Sequence, residues 1–243
     1  MKINTYILST AELSESLINK ALSNGVELDA VSFIQVEPIR EKNLNEELEA
    51  LCKVKITAVF TSANAISAIS GILKSYKPSW NIYCIGIATK KAVLEYFDAS
   101  MIKGTANDGE GLAEVIQADG VKNVVFFCGD KRLDALPDFL YKHGIIVREL
   151  VVYKTKETPE VVKKHYQGIL FFSPNGVNSF FRVNNIAPQV ILFAIGNTTA
   201  KAIKSKANNV VVVSGKPSKE HMVDGVIQYF HKQVPVSSRA KKS

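Results

Sequence analysis

Apolar and polar positions alternate in two distinct rhythms along this chain. Short runs of β-branched and aromatic residues stop at a hydroxyl or a glycine. A stretch with apolar residues three and four apart then follows, the spacing of one helix face. Val59-Phe60-Thr61-Ser62 leads into Ala65 and Ile66, and Phe171-Phe172-Ser173-Pro174 leads into Val177, Phe180 and Phe181. Each reads as a buried strand ending in the N-cap of a helix. The pattern predicts strands over 3–8, 30–36, 56–61, 82–85, near 101, 124–128, 146–153, from 169, 191–195 and 210–213. Helices are predicted between them, with Ser9 or Thr10 capping the first and Asn24-Gly25 ending it. Glu41–Leu51 is a second helix, and later ones begin near Asn64, Thr89, Gly109, Thr199 and Ser218.

The order of these elements contains a repeat. Ser62 recurs as Ser173 and Gly86-Ile87-Ala88-Thr89 as Gly196-Asn197-Thr198-Thr199, displaced along the chain by almost the same interval. The strand–helix–glycine–strand pattern of the N-terminus also returns between Val124 and Tyr153, with Gly25 matched by Gly144. The chain therefore reads A-B-A′-B′, where A is strand–helix–strand and B is three strands with their helices. Alternating strands and helices imply parallel sheets covered on both faces. The expected fold is α/β: two flavodoxin-like parallel-sheet domains, one inserted in the other and joined by a two-stranded β-ladder. Residues 1–36 and 156–236 would form the discontinuous domain and 39–152 the inserted one. The segments Phe33–Val36 and Val151–Lys154 would lie together as the hinge, and 237–243 would be a flexible basic tail.

Composition adds bounds. The chain has 243 residues, 47% of them hydrophobic, and a formal net charge of +7. Arg239, Lys241 and Lys242 sit in the tail, so the folded body is only mildly basic. Without a basic stripe interleaved with aromatics, nucleic acid is not an expected partner, whereas a small polyanion is compatible with the charge. No run approaches the ~18 apolar residues of a membrane helix, and Met1–Asn4 has no signal-peptide core. Cys52, Cys84 and Cys128 are scattered in apolar settings, which suits a reduced, cytoplasmic protein. His143, His165, His221 and His231 give no metal spacing. Gly109-Glu110-Gly111 lacks the third glycine of a dinucleotide fingerprint, and no nucleophile elbow occurs.

The candidate chemistry gathers at strand ends. In doubly wound sheets, ligands collect where strands end against helix N-termini, whose free N–H groups and partial positive charge suit carboxylates and phosphates. Ser62, Thr89, Ser173 and Thr199 fall at such positions, either as plain N-caps or as the lining of a cleft between facing copies. Asp130, Lys131 and Arg132 follow a strand end, from which they could reach a cleft, and read more simply as solvated loop charges. Tyr153, in the second hinge segment, stays protonated at neutral pH and can donate a hydrogen bond or a proton.

Phe60–Ile66, Gly86–Thr89, Val151-Val152-Tyr153-Lys154-Thr155, Phe172–Val177, Ile195–Ala200 and Lys216-Pro217-Ser218, in this order and spacing, resemble the uroporphyrinogen-III synthase family. The resemblance runs from the first strand to about Phe230. It implies a cofactor-free lyase of tetrapyrrole (haem) biosynthesis; a monomer is expected, and no metal. Such an enzyme closes hydroxymethylbilane with loss of water and inversion of ring D, and meets the preceding pathway enzyme transiently. By position, Tyr153 matches the family's hinge tyrosine, the candidate for protonating the leaving hydroxyl. Ser62, Ser173 and Thr199 match ligand-facing hydroxyls, with Asn64, Thr89, Asn175 and Gly176 beside them. The family's usual Gly-Pro-Thr-Thr is here Gly196-Asn197-Thr198-Thr199, which loosens the turn and keeps the hydroxyls. The competing reading is a two-domain sensor that closes on a small anion, disfavoured by the short tail after the last helix.

Overall fold

The computed structural model describes residues 5–233, with the side chains of 232 and 233 left aside. The proposed basic tail and the first two residues of the predicted opening strand lie outside the described residues. The first half runs β1 (Thr5–Ser9), α1 (Glu15–Ser23), β2 (Val26–Ala30), β3 (Ile34–Pro38), α2 (Lys42–Cys52), β4 (Thr57–Phe60), α3 (Ala63–Tyr76) and β5 (Asn81–Ile85). Next come α4 (Gly86–Leu94), β6 (Ile102–Ala106), α5 (Gly109–Ala118), β7 (Asn123–Gly129), α6 (Ala135–Lys142) and β8 (Ile146–Glu157). The last part is β9 (Gly168–Phe171), α7 (Pro174–Phe181), β10 (Ile191–Ala194), α8 (Asn197–Lys204), β11 (Val211–Val213) and α9 (Lys219–Gln233).

The chain divides into two compact units: one takes in the chain up to Gln35 and again from Glu157, the other Val36–Lys156. Among the described residues the first unit holds a five-stranded sheet, β11-β10-β9-β1-β2, and the second a six-stranded one, β3-β8-β7-β4-β5-β6. Strands β1, β2, β9, β10 and β11 pair in parallel, as do β4 to β8. Matching β7-α6-β8 to β1-α1-β2, and β4, β5, β6 to β9, β10, β11, makes the two sheet orders identical over five strands. What differs is the starting point, because in the second unit the three-strand segment comes first. The second sheet is thus a circular permutation of the first, with β3 added at its edge beside β8.

Burial on both faces explains the continuous apolar strands. In the first unit Ile7, Leu170 and Phe193 pack under α1 and α9, while Leu8, Ile169, Phe171 and Leu192 face α7 and α8. In the second, Ala58, Phe60, Ile82 and Phe127 join Leu48, Ile66, Ile69 and Val93 on one side. Val59, Tyr83, Phe126 and Cys128 join Leu112, Ile116, Leu136 and Leu140 on the other. Each such side chain contributes about 1.5–3 kcal/mol on burial, so neither face could be left uncovered.

Two expectations at the N-terminus need correction. Ser9 and Thr10 do not cap α1, whose N-cap is Ser14. Their hydroxyls are engaged nearby, donating to the carbonyls of Ala11 and Leu170. The single strand expected over 30–36 is two, β2 and β3, separated by Val31–Phe33. Val26-Glu27-Leu28-Asp29-Ala30 has the period-2 alternation of a half-buried strand, and β2 lies at a sheet edge. Glu27 and Asp29 project from it to the Lys164 ammonium at 2.8 and 2.9 Å. Strands β3 and β8 each run across a boundary of the two units, and Ile39 N–H donates to Val152 O at 3.0 Å.

Phe127 is the centre of the second unit's aromatic cluster. Its ring stacks on Phe60 at 4.9 Å and on Trp80 at 5.2 Å between centroids, and Trp80 Nε1–H donates to Leu51 O. Phe127→Ala should lower unfolding free energy by about 3–5 kcal/mol and shift the emission of Trp80, the chain's one tryptophan, to the red. Urea titration followed by fluorescence measures both.

Candidate functional site at the strand ends

In the second unit β7 lies between β4 and β8. β4 and β7 end close together, carrying Ser62 and Gly129, and β8 passes beside those ends with Tyr153 before running on to Glu157. This is where the strand order changes direction from β4-β5-β6 to β7-β8, the position at which parallel sheets open a crevice. Ser62 follows β4 with extended backbone, and its Oγ accepts Asn64 N–H at 3.2 Å as the N-cap of α3.

Tyr153 reaches Ser62 from two strands away. The β7–β8 register slips by one residue, from Cys128 opposite Val151 to Gly129 opposite Tyr153. A bulge of this kind re-aims the side chain that follows it. Val152, the extra residue, points into the core. The Tyr153 ring then lies across Gly129, where a Cβ would stand 2.5 Å from the ring carbons and 2.9 Å from the phenolic oxygen. Glycine is required here for close approach rather than for backbone angle. The phenol comes close enough to the Ser62 hydroxyl for that hydroxyl to favour its ionised form. Burial raises the Tyr153 pKa above the ordinary phenol value, the Ser62 hydroxyl pulls it down, and Cys128 and Asp130 push it up again, with a net upward shift. Tyr153 is thus a half-buried proton donor at neutral pH.

Asp130 is exposed, as expected of a loop charge, and Arg132 half-buried, but both have partners within the protein. Asp130 Oδ1 accepts Thr155 N–H at 2.8 Å, and its own N–H donates to Tyr153 O at 3.1 Å. Arg132 grips both carboxylate oxygens of Glu149 and also meets Asp134. Sequence reasoning missed Gly129 altogether. Its signal was a glycine closing the strand Val124-Val125-Phe126-Phe127-Cys128 just before an acidic residue.

The first unit repeats the scaffold with other side chains. Ser173 Oγ accepts Gly176 N–H at 3.0 Å and caps α7, with Pro174 at the first helical position. Gly176 is buried, and a Cβ there would touch Ser173 Oγ at 3.4 Å and Thr10 Oγ1 at 3.8 Å. Asn175 is half-buried in the first turn of α7, whereas Asn64 is exposed in that of α3. Thr10 Oγ1 donates to Leu170 O at 2.8 Å, closing the end of β9. Thr89 and Thr199 are not caps. They lie one turn into α4 and α8, which are capped by Ile85 and Gly196, and are only 5% and 2% exposed. The four predicted hydroxyls therefore divide into two half-buried caps, Ser62 and Ser173, and two buried threonines beneath the helix starts. Among the described residues no group of three or more His, Cys, Asp or Glu side chains is placed to hold a metal ion, and no helix is long and apolar enough to cross a membrane.

The sequence family described as Uroporphyrinogen-III synthase HemD matches residues 15–224, a span that includes Ser62, Thr89, Gly129, Tyr153, Ser173 and Thr199. The chain belongs to the uroporphyrinogen-III synthase family. A curated relative, the uroporphyrinogen-III synthase of Saccharomyces cerevisiae, is 27% identical over 179 residues, covering 62% of this chain and 65% of the yeast protein. The chain thus spans somewhat less than two thirds of that relative's length. Two solved structures share the fold at 16% identity and a TM-score of 0.63: a mutant uroporphyrinogen III synthase from Thermus thermophilus and the uroporphyrinogen-III synthetase of Helicobacter pylori 26695. They cover 95% and 93% of this chain and the whole of their own. The sensor reading finds no support among these relatives.

Within this family member, Ser62 caps α3 and stands close to the Tyr153 phenol, so its loss should act on the helix first. Ser62→Ala and Ser173→Ala should each lower stability by about 1 kcal/mol through the lost cap, as denaturant titration would show. The Tyr153 phenol holds its proton more tightly folded than unfolded. Its contribution is intact below the ordinary tyrosine pKa of about 10 and is lost as pH rises through the raised value. Tyr153→Phe should therefore lose less stability than the parent between neutral and strongly alkaline pH. A wild-type minus variant absorbance titration should show one phenol ionising above pH ~10.

Proposed function

We propose that this chain is a uroporphyrinogen-III synthase, converting hydroxymethylbilane to uroporphyrinogen III with loss of water. The observation that carries the reading is the Tyr153 phenol, protonated and laid across Gly129 onto Ser62 at the strand ends of a member of this family. Tyr153 gives its proton to the terminal hydroxymethyl oxygen while the adjacent pyrrole expels water, leaving an azafulvene. The substituted α-carbon of ring D attacks that carbon and forms a spiro intermediate. The bond from that carbon to its original bridging carbon then breaks, and the bridge rejoins ring D at the unsubstituted α-carbon. Loss of the proton there restores the pyrrole and balances the one that Tyr153 gave. No electrons are exchanged, so the reaction calls for no redox cofactor.

Ser62, Asn64, Ser173, Asn175 and Gly176 stand at the starts of α3 and α7. There, free N–H groups and the helix dipole suit the carboxylates of the bilane. Thr89 and Thr199 are buried in the first turns of α4 and α8 and support those helices rather than offering hydroxyls to the bilane. Holding the two ends of the bilane in one geometry supplies a large share of the rate, up to ~7–11 kcal/mol in favourable systems. On this reading the protein is a cytoplasmic monomer that takes its labile substrate in transient contact with the preceding pathway enzyme. Cysteines that are buried and free fit a reducing compartment.

Purified protein supplied with hydroxymethylbilane should give type III porphyrin after oxidation. Type I product alone, the outcome of uncatalysed closure, would overturn the proposal. Tyr153→Phe should lower turnover about 10²–10⁴-fold, the range of a lost general acid, with the fold retained by circular dichroism. Wild-type turnover in that variant would remove Tyr153 from the chemistry while leaving the activity in place.

A further inference from the structure

We infer that Asp130 is a positioning residue for Tyr153, and that with Gly129 it forms the clamp that holds the phenol at Ser62. The inference rests on the proposed role of Tyr153. Strand β7 stops at Gly129, whereas β8 runs on to Glu157. Tyr153, opposite Gly129, is the last β8 residue with a ladder partner in β7, and the strand beyond it has none on that side. Asp130 replaces the missing partner. Its backbone N–H donates to the Tyr153 carbonyl at 3.1 Å, and its carboxylate accepts Thr155 N–H at 2.8 Å. The two bonds grip the tyrosine's own carbonyl and the N–H two residues on. They fix the strand immediately after the register slip.

Gly129 acts on the ring as Asp130 acts on the backbone. The ring occupies the volume a side chain at position 129 would fill. Held from both sides, the phenol has one route across β7, and it ends at Ser62. The corresponding place in the first unit carries Ser9 and Thr10, and Thr10 there satisfies the Leu170 carbonyl with both its N–H and its hydroxyl. A carboxylate is not needed to end a strand in this fold. Its presence at position 130 goes with the strand that bears Tyr153.

A double-mutant cycle on the full chain, assayed with hydroxymethylbilane, separates positioning from general support. Asp130→Ala should lower kcat about tenfold to 100-fold, the effect of misplacing a reacting group by roughly 1 Å, with KM little changed. In a Tyr153→Phe background the same substitution should change kcat less than about twofold, because the group it positions is already gone. Asp130→Asn keeps an oxygen that can accept Thr155 N–H, and should restore most of the turnover lost in the alanine variant. An equal cost of Asp130→Ala in both backgrounds would overturn the inference, as would an asparagine variant no better than alanine. If Tyr153→Phe itself keeps the parent rate, the role of Tyr153 fails first. Should Asp130→Ala fail to fold, Gly129→Ala supplies the second test. It should abolish the tyrosine-dependent part of kcat in the parent and cost little beside Tyr153→Ala, where the ring that a methyl would strike is absent. An equal cost beside Tyr153→Ala would count against the clamp.

Discussion

Everything in this protein follows from sheets that are buried on both faces. A residue within β1, β4, β7, β9 or β10 meets an apolar cluster whichever way it points, as Ile7 and Leu8 or Val59 and Phe60 show. A hydroxyl or carboxylate placed there would lose water with no partner, at about 1–3 kcal/mol. Polar side chains are therefore pushed to strand ends, where the chain turns into a helix with unpaired N–H groups. Thr10, Ser62, Asp130 and Ser173 all stand at the first position or two beyond a strand, and each has a backbone group as partner.

The scaffold is repeated and the chemistry is not. Both units place five parallel strands in one order, with helices on each face. The order survives circular permutation because strand–helix–strand connections are local and share one handedness, while the starting point of the chain carries no energetic weight. At the inner strand ends the two units diverge. The first has a small, self-satisfied set, with Thr10 closing on Leu170 and Ser173 on Gly176. In the second, a glycine and a one-residue slip open a path for a phenol. Ser62 can serve both the α3 cap and Tyr153 because a hydroxyl has one hydrogen and two acceptor sites.

That geometry also sets the protonation state. Laying Tyr153 over Gly129 buries the ring and brings Cys128 and Asp130 near the oxygen, and burial outweighs the help that Ser62 gives the phenolate. On the proposed reading, a neutral phenol close to the start of α3 would set proton donation beside N–H groups suited to a carboxylate. The buried threonines Thr89 and Thr199 lie in the first turns of α4 and α8 and expose no hydroxyl there.

The sequence alone determined the alternation of strands and helices, the repeated B segment with its two serine caps, and Tyr153 as the distinctive phenol. These are local patterns: a strand buried on both faces needs a continuous apolar run, and an N-cap needs a short oxygen side chain one residue before the helix. It misread what depends on partners far along the chain. Ser9 and Thr10 have the composition of caps, but the Leu170 carbonyl claims Thr10 across the sheet. The acidic alternation of Val26–Ala30 signals a strand only once Lys164 is there to meet it. Asp130 is exposed as a loop charge should be, but its bond to Thr155 N–H at 2.8 Å depends on a strand 25 residues on. Gly129 carried no visible role, because its use is the side chain it lacks, and only a neighbouring strand slipped by one residue supplies the ring that fills the gap.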